Sequence, residues 1–307
     1  MNVTIGIVQK AAAHLDLAAS VAQIESYVIE AQKQGVRLLV FGEGWLSGYP
    51  GIWFDYVPEA ALWDYQPTKE VFARFVANSL SMDGPELKQI AALARKYQLI
   101  LCIGFNERIE QGANNGTIFN SLVIIDSTGE IANHHRKLMP TFTERLVHGL
   151  GDAKGLKAAT TSIGKVGSLI CWEHWMPLTR QAMHLEGEHI HVALWPTVHE
   201  MHQVASRHYA FEGRCFVVAA GQLMQAQELP KEFTLPTALA EKPETLVLKG
   251  GSCIVAPNGR YIVEPDFTGK ELVVGEVDLT EVTKEKMALD VVGHYNRPDV
   301  FSFSVNR

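Results

Sequence analysis

The sequence predicts an α/β protein built from mixed β-sheets covered by helices. Three observations carry that expectation. Short apolar runs with strand character alternate with longer stretches whose apolar residues recur at helical spacing. Hairpin signals interrupt the alternation, so the sheets are mixed rather than purely parallel. Hydrophobic residues make up 47% and charged residues 20% of a 307-residue chain, which supports a large core.

Residues 3–9 alternate and read as a strand. Leu17, Val21, Ile24, Val28 and Ala31 share one face of a helix over about residues 15–34, which Gly35 ends. Residues 36–41 are a short buried strand. Residues 53–68 form a long connection rich in aromatics, expected to pack rather than to act as a tether. Asp83-Gly84-Pro85-Glu86 opens a second helix with Leu87, Ile90, Ala91 and Ala94 on one face. Residues 99–105 are the next strand, and 118–126 with 130–134 flank Ser127-Thr128-Gly129 as a hairpin. Residues 161–171 read as a strand pair interrupted by Gly164-Lys165. A helix (177–185), a strand (189–195), a helix (202–213) and a strand (215–220) follow. A second long connection covers 225–243; strands at 250–256, 261–264 and 271–278 and a helix at 280–290 complete the pattern. No repeat or low-complexity segment divides the chain, so one domain over residues 1–307 is expected.

The formal charge of −7, with no basic tail or Arg/Lys block, argues against nucleic acid as a partner. No apolar run approaches the ~20 residues that span a bilayer, which argues against a membrane. Met1-Asn2-Val3-Thr4 enters the first strand without the pattern of a secretory signal, so a cytoplasmic location is expected. Cys102, Cys171, Cys215 and Cys253 are widely spaced with no CxxC pair and read as reduced thiols.

Three residues just after strands carry the chemistry. Cys171 ends a strand in Leu169-Ile170-Cys171-Trp172-Glu173 and precedes a helical pattern. Such a corner turns backbone N–H groups and a helix dipole toward the sulfur, which activates a thiol that otherwise titrates near ~8.5. Glu43 stands in Phe41-Gly42-Glu43-Gly44, and Lys137 ends a hairpin strand in His134-His135-Arg136-Lys137-Leu138-Met139-Pro140. Strand ends are where α/β folds place catalytic groups. Together a thiol, a carboxylate and an ammonium perform acyl-type chemistry: attack, proton transfer and stabilisation of negative charge. Each alone has an ordinary alternative: a small buried strand residue, a surface carboxylate, a solvated cation.

The segments 41–50, 135–141 and 171–174, joined by Thr143-Glu144-Arg145, Gly149-Leu150-Gly151-Asp152 and the run 207–214, resemble the nitrilases of the carbon–nitrogen hydrolase superfamily. The resemblance runs from about Val3 to Asp278. It implies a four-layer α-β-β-α sandwich with mixed sheets and a Glu-Lys-Cys triad. Glu43 would be the general base, Lys137 the cationic stabiliser and Cys171 the nucleophile; Glu144 matches a second glutamate beside them. Trp172 would offer its backbone N–H to developing negative charge. Cys171-Trp172-Glu173 is similar to nitrilases rather than to the amidase and carbamoylase branches. The implied reaction converts a small-molecule nitrile to the carboxylic acid and ammonia through a thioimidate and a thioester, with some amide as by-product. It needs no metal or cofactor.

Expected pocket residues are Trp45, Tyr49, Trp53, Trp172, His174, Trp195 and Pro196. Gly44, Ser47 and His174 depart from the commonest family pattern, which bears on substrate preference. The resemblance also implies a homodimer or a larger homo-oligomer that can extend into spirals, although the chain lacks the long tail many nitrilases carry. The aromatic 53–65 region and the 225–243 loop are the expected contact surfaces.

The same residues admit other classes. Six of the 12 histidines lie between His184 and His208, and His189-x-His191 would share a strand face as metal ligands. No carboxylate or cysteine completes a recognised metal pattern there. A non-catalytic scaffold does not account for the intact Glu43, Lys137, Glu144 and Cys171. His174, three residues after Cys171, would suit a Cys-His ester hydrolase, although such a histidine normally comes from elsewhere in a fold.

Overall fold

In the computed structural model, which describes residues 1–307, most of the expected strands pair into two sheets of six. The first is built from β1 (Asn2–Val8), β2 (Leu38–Leu46), β3 (Ile100–Arg108), β4 (Ile118–Ile125) and β5 (Ile131–Arg136). The second takes β6 (Ala159–Thr161), β7 (Gly164–Ile170), β8 (Ile190–Leu194) and β9 (Phe216–Ala220). A small ribbon pairs β10 (Leu223–Gln225) with β11 (Leu246–Lys249). The late strands β12 (Ser252–Val255) and β13 (Tyr261–Asp266) join the second sheet, and β14 (Leu272–Asp278) returns to the first. The strand orders are β14-β1-β2-β3-β4-β5 and β13-β12-β9-β8-β7-β6. Each sheet has a parallel centre, β1-β2-β3 or β7-β8-β9, with antiparallel strands outside it.

Side-chain alternation decides the layers. Ile5, Ile7, Leu38 and Val40 belong to the central core shared with the second sheet. Leu39 and Phe41 face the other way and pack on Val21, Ile24 and Val28 of α1 (Leu17–Lys33). α2 (Gly51–Tyr56) and α3 (Gln66–Ala77) lie before α4 (Pro85–Tyr97), whose Leu87 and Ile90 join the same outer cluster. On the second sheet, Met183 of α5 (Pro177–Leu185) and Tyr209 of α6 (Glu200–Gly213) close the opposite side. The chain is therefore an α-β-β-α sandwich with mixed sheets; α7 (Thr237–Ala240) and α8 (Thr280–Lys286) are short additions. No helix is long and apolar enough to cross a membrane. All four cysteines are free and buried.

Several expected boundaries move. α1 starts at Leu17 because the Asp16 carboxylate caps it by accepting from the Ala19 N–H. The hairpin turn of β6–β7 falls at residues 162–163, since Gly164 already pairs with Thr161. The 53–68 connection is largely helical, and α3 goes beyond it. Only Val71 and Phe75 of α3 are buried, too few to mark a periodic face. The two long connections, expected as contact surfaces, also pack partly on each other. Trp53, Phe54 and Val57 pack against Leu229 and Phe233, so each segment buries the other's apolar side chains. Leu62 and Trp63 stay exposed.

The strand that carries Glu43 is locally irregular. Pairing between β2 and β3 slips between Phe41 and Leu46. Opposite this slip stands Gly104, where a Cβ would lie 2.2 Å from the Gly42 carbonyl oxygen and 3.0 Å from the Glu43 Cα. Both are backbone atoms with little freedom to yield. Gly104→Ala is therefore expected to destabilise the fold by about 1–3 kcal/mol, read as a lowered denaturation midpoint. Activity should fall with it, because Glu43 is displaced.

Candidate active site

The four expected chemical groups meet in one buried place. Glu43 lies on β2, Lys137 follows β5, and Glu144 sits in a 3-10 turn over Phe142–Leu146. Cys171 is the first residue of the 3-10 turn Cys171–Trp175, directly after β7. None is more than 2% exposed. The first sheet thus supplies a carboxylate and the cation, and the second supplies the thiol.

Lys137 Nζ donates to Glu43 Oε1 at 2.7 Å and to both oxygens of Glu144 at 2.9 and 2.8 Å. Asn120 donates a further hydrogen bond to Glu43 Oε1 at 2.8 Å, and Tyr49 Oη donates to Glu144 Oε1 at 2.8 Å. Glu144 Oε2 also accepts from the Thr141 N–H at 3.0 Å, which holds its turn closed. Gln222 donates to the Glu43 backbone carbonyl at 2.7 Å, and the Glu43 N–H reaches the Trp195 carbonyl at 3.4 Å. These contacts fix the base across the two sheets. Glu43 Oε2 is buried with no hydrogen-bond partner. One oxygen of each carboxylate and the Cys171 sulfur lie within 4.8 Å of one another. Such a trio resembles a cation site, and the Lys137 ammonium already bridges its two carboxylates.

Electrostatics separate the roles of the two carboxylates. Burial pushes Glu43 up to about 7, against the opposing pull of Lys137 and with Glu144 adding to the rise. Burial acts on Glu144 in the same sense, but Lys137 and the Thr141 N–H outweigh it and hold Glu144 below its usual range. Lys137 loses some basicity to burial and regains more from Cys171, Glu144 and Glu43, so it stays charged. The thiol departs from the expectation of an activated, lowered group. Burial and the charge of Glu43 raise Cys171 well above its ordinary value, with Lys137 only partly opposing them. A neutral thiol needs a base before it can attack, and the Glu43 carboxylate within 4.8 Å of the sulfur has the chemistry for it.

Backbone strain clusters here too. Cys171 has φ 53°, Phe142 φ 43° and Ser47 φ 76°, all in the left-handed region that disfavours side chains. Glu173 braces the thiol's corner. Its oxygens accept from the Ile170 N–H at 2.8 Å and the Leu138 N–H at 2.9 Å, and His135 Nε2 lies 2.9 Å away. That one side chain ties the cysteine turn to the Lys137 loop. Sequence reasoning did not assign Asn120 or this bracing role of Glu173. Only the Cys171-Trp172-Glu173 motif hinted at the second.

A cavity of about 910 Å³ opens on Cys171. Of the expected pocket residues, Tyr49, Trp172 and Pro196 line it. Trp45, Trp53, Trp195 and His174 do not, for reasons of packing. Trp45 is buried against Phe41 and donates to the Lys10 carbonyl. Trp53 is buried against Phe75 and donates to His14. Trp195 is sandwiched among His174, Trp175 and His202. His174 bonds the Cys171 carbonyl and His191, so neither ring nitrogen faces the thiol as a Cys-His hydrolase requires. The apolar wall includes Ile52, Trp175, Met201 and Phe267, which the sequence did not single out. His189 and His191 do not converge on a metal position either. His189 Nδ1 accepts from the Lys165 N–H, while His191 is bonded at both nitrogens.

Comparison with known proteins agrees with this architecture. Residues 4–286 match the carbon-nitrogen hydrolase family. A bifunctional nitrilase/nitrile hydratase of Nicotiana tabacum is 34% identical over 302 residues, covering 97% of this chain and 84% of that protein. An aliphatic nitrilase of Sinorhizobium fredii is 34% identical over 308 residues, covering 98% and 94%. Among solved structures, a Saccharomyces cerevisiae member of branch 10 of the nitrilase superfamily shares the fold. Its TM-score is 0.71 at 18% identity, over 96% of this chain and 97% of that one. With a family match across nearly its whole length and relatives above 30% identity, this chain belongs to the carbon–nitrogen hydrolase family.

Proposed function

We propose that the chain is a nitrilase, which hydrolyses organic nitriles to carboxylic acids and ammonia through a covalent intermediate on Cys171. The observation that carries this reading is the unpartnered Glu43 Oε2 beside a neutral thiol at the wall of a mainly apolar cavity. Residues 1–307 act in this proposal as one domain, since the reacting groups come from both sheets.

Glu43 takes the Cys171 thiol proton, and the sulfur forms a bond to the nitrile carbon. Glu43 passes that proton to the nitrile nitrogen and a thioimidate results, with the Lys137 ammonium and the Trp172 N–H stabilising negative charge as it develops. Glu43 then removes a proton from water, which adds to the same carbon to give a tetrahedral intermediate. Breaking the C–N bond, with the nitrogen protonated, releases ammonia and leaves a thioester. A second water releases the acid and returns the proton to sulfur. If the C–S bond breaks first, the tetrahedral intermediate leaves as the amide. The Nicotiana tabacum relative, named as both nitrilase and nitrile hydratase, supports such an amide by-product.

The lining of Tyr49, Ile52, Trp172, Trp175, Met201 and Phe267 favours an apolar or aromatic nitrile. The test is ammonia and amide release from phenylacetonitrile, benzonitrile, an aliphatic dinitrile and the corresponding amides. Ammonia from nitriles is the expected outcome. Turnover of amides alone would move the chain to the amidase branch, and silence across the panel would favour a scaffold.

A further inference from the structure

The turn that carries Cys171 stands at the end of a buried chain of polar groups that the mechanism above does not use. Tyr209 Oη lies 2.6 Å from Glu188 Oε1, and Glu188 Oε2 lies 2.5 Å from His191 Nδ1. His191 Nε2 lies 2.9 Å from His174 Nε2, and His174 Nδ1 lies 2.7 Å from the Cys171 carbonyl oxygen. None of these four side chains is more than 3% exposed. The His191 ring stacks on Tyr209 with centroids 3.8 Å apart, so the chain is also held by packing.

With both imidazoles neutral, as burial holds them, the direction of every proton follows from one end. A carbonyl oxygen only accepts, so His174 Nδ1 carries a hydrogen. A neutral His174 then accepts at Nε2, and His191 Nε2 must donate. A neutral His191 accepts at Nδ1, and its partner there is the Glu188 carboxyl. That carboxyl has to supply a proton, while Tyr209 donates to its other oxygen. Each of the four links carries one proton, all run the same way, and the chain is uncharged. Burial supports this state. It lowers His174 and His191 well below the ordinary imidazole range, and it pushes Glu188 up to about 8 against the pull of His184 and the Tyr209 hydrogen bond.

We propose that Glu188, His191 and His174 are positioning residues of the Cys171 reaction, forming a one-way hydrogen-bond relay in which Glu188 works as a protonated acid. The relay pins the carbonyl of a cysteine held at φ 53°. A trans peptide is planar, so pinning that carbonyl also fixes the Trp172 N–H, which points the opposite way, away from the relay. Loss of the Glu188 proton leaves one link without a hydrogen. Either two Nε2 lone pairs then face each other or His174 releases the carbonyl, and the turn relaxes. Other charges face this chain. His184 touches Tyr209 and shares the Glu212 carboxylate with Arg180, and Glu186, Cys215, Glu173 and His202 lie close. Arg180 and Glu212 form their own ion pair beside the relay, with His184 against the same carboxylate.

This inference rests on the nitrilase reading of Cys171, and its test separates the two. Glu188→Gln keeps every link, because the amide accepts from Tyr209 and donates to His191, yet it has no proton to lose. Glu188→Leu removes the donor. Native kcat/KM is expected to fall through pH ~8, by about tenfold to hundredfold as alignment is lost. Glu188→Gln should keep neutral-pH activity and lose this alkaline limb. Glu188→Leu should lower kcat by a similar factor at all pH values with KM little changed. Nitrogen-15 histidine NMR gives a readout independent of turnover. His174 should show the Nδ1–H tautomer and His191 the Nε2–H tautomer, both shifting as Glu188 ionises in the native protein and neither shifting in Glu188→Gln. Opposite tautomers, or an alkaline limb in Glu188→Gln that coincides with the native one, would overturn the relay. If no nitrile is turned over, the tautomers still decide it.

Discussion

Replacing Cys171 by alanine is expected to abolish nitrile turnover, a loss on the order of 10⁴-fold or more, and adding Glu43→Gln should change nothing further. The two residues act as one unit. The thiol is raised by burial and by Glu43, so it offers almost no thiolate on its own, and of the two carboxylates near the sulfur Glu43 is the one that burial makes more basic. Glu43→Gln alone keeps the shape and the Lys137 contact but cannot take a proton, so kcat should fall by about 10²- to 10⁴-fold. The acid side of the pH profile follows from the same carboxylate. The base form exists above its pKa, so kcat/KM should rise through about pH 7 before the alkaline limb ascribed to Glu188 takes over. The stability sign is opposite. A carboxylate raised in the folded state contributes most below its unfolded value and loses that contribution as pH rises through about 7. Glu43→Gln should therefore be at least as stable as the native protein at pH 8, while being far less active. Stopped assays across pH and thermal melts at pH 8 check both signs. Undiminished activity in Glu43→Gln would remove Glu43 as the base.

Lys137→Met is expected to damage stability as well as activity. The ammonium is buried and holds two buried carboxylates through three hydrogen bonds. Removing it leaves like charges facing each other in an apolar surround, a change that typically costs about 3–5 kcal/mol. One carboxylate would then take up a proton, and Glu43, already raised to about 7, is the readier acceptor. The base is thereby lost along with the cation. Adding Glu144→Gln in this background should recover part of the stability, since one of the two unpaired charges is gone, but none of the activity. Denaturant midpoints of the single and double variants read the first claim, and ammonia release reads the second. A Lys137→Met protein as stable as the native one would mean that the ion cluster contributes little to the fold.

Local pattern alone determined most of the strands and helices and singled out Glu43, Lys137 and Cys171, although β10 and β11 were not legible and β2 runs on past Glu43. Periodicity and capping act within a few residues, so α5 and the helical face of α1 are legible from the sequence. Glu43, Lys137 and Cys171 were legible for a related reason, because each stands where a recognisable strand stops. α3 was not, since it buries too few side chains to show a face. Tertiary structure alone decided what those groups can do. Glu43 and Lys137 are 94 residues apart, and Asn120 reaches Glu43 from a different strand again. A pKa depends on such distant charges and on burial, which is why a thiol expected to be lowered is raised. Pocket membership is likewise set by which face of an aromatic ring the neighbouring elements cover. Trp45, Trp53 and Trp195 are spent on core packing, while Trp175, Met201 and Phe267 form the cavity wall. Nothing local marks Glu188 as a carboxyl with a raised pKa; burial, which only the fold decides, pushes it up to about 8.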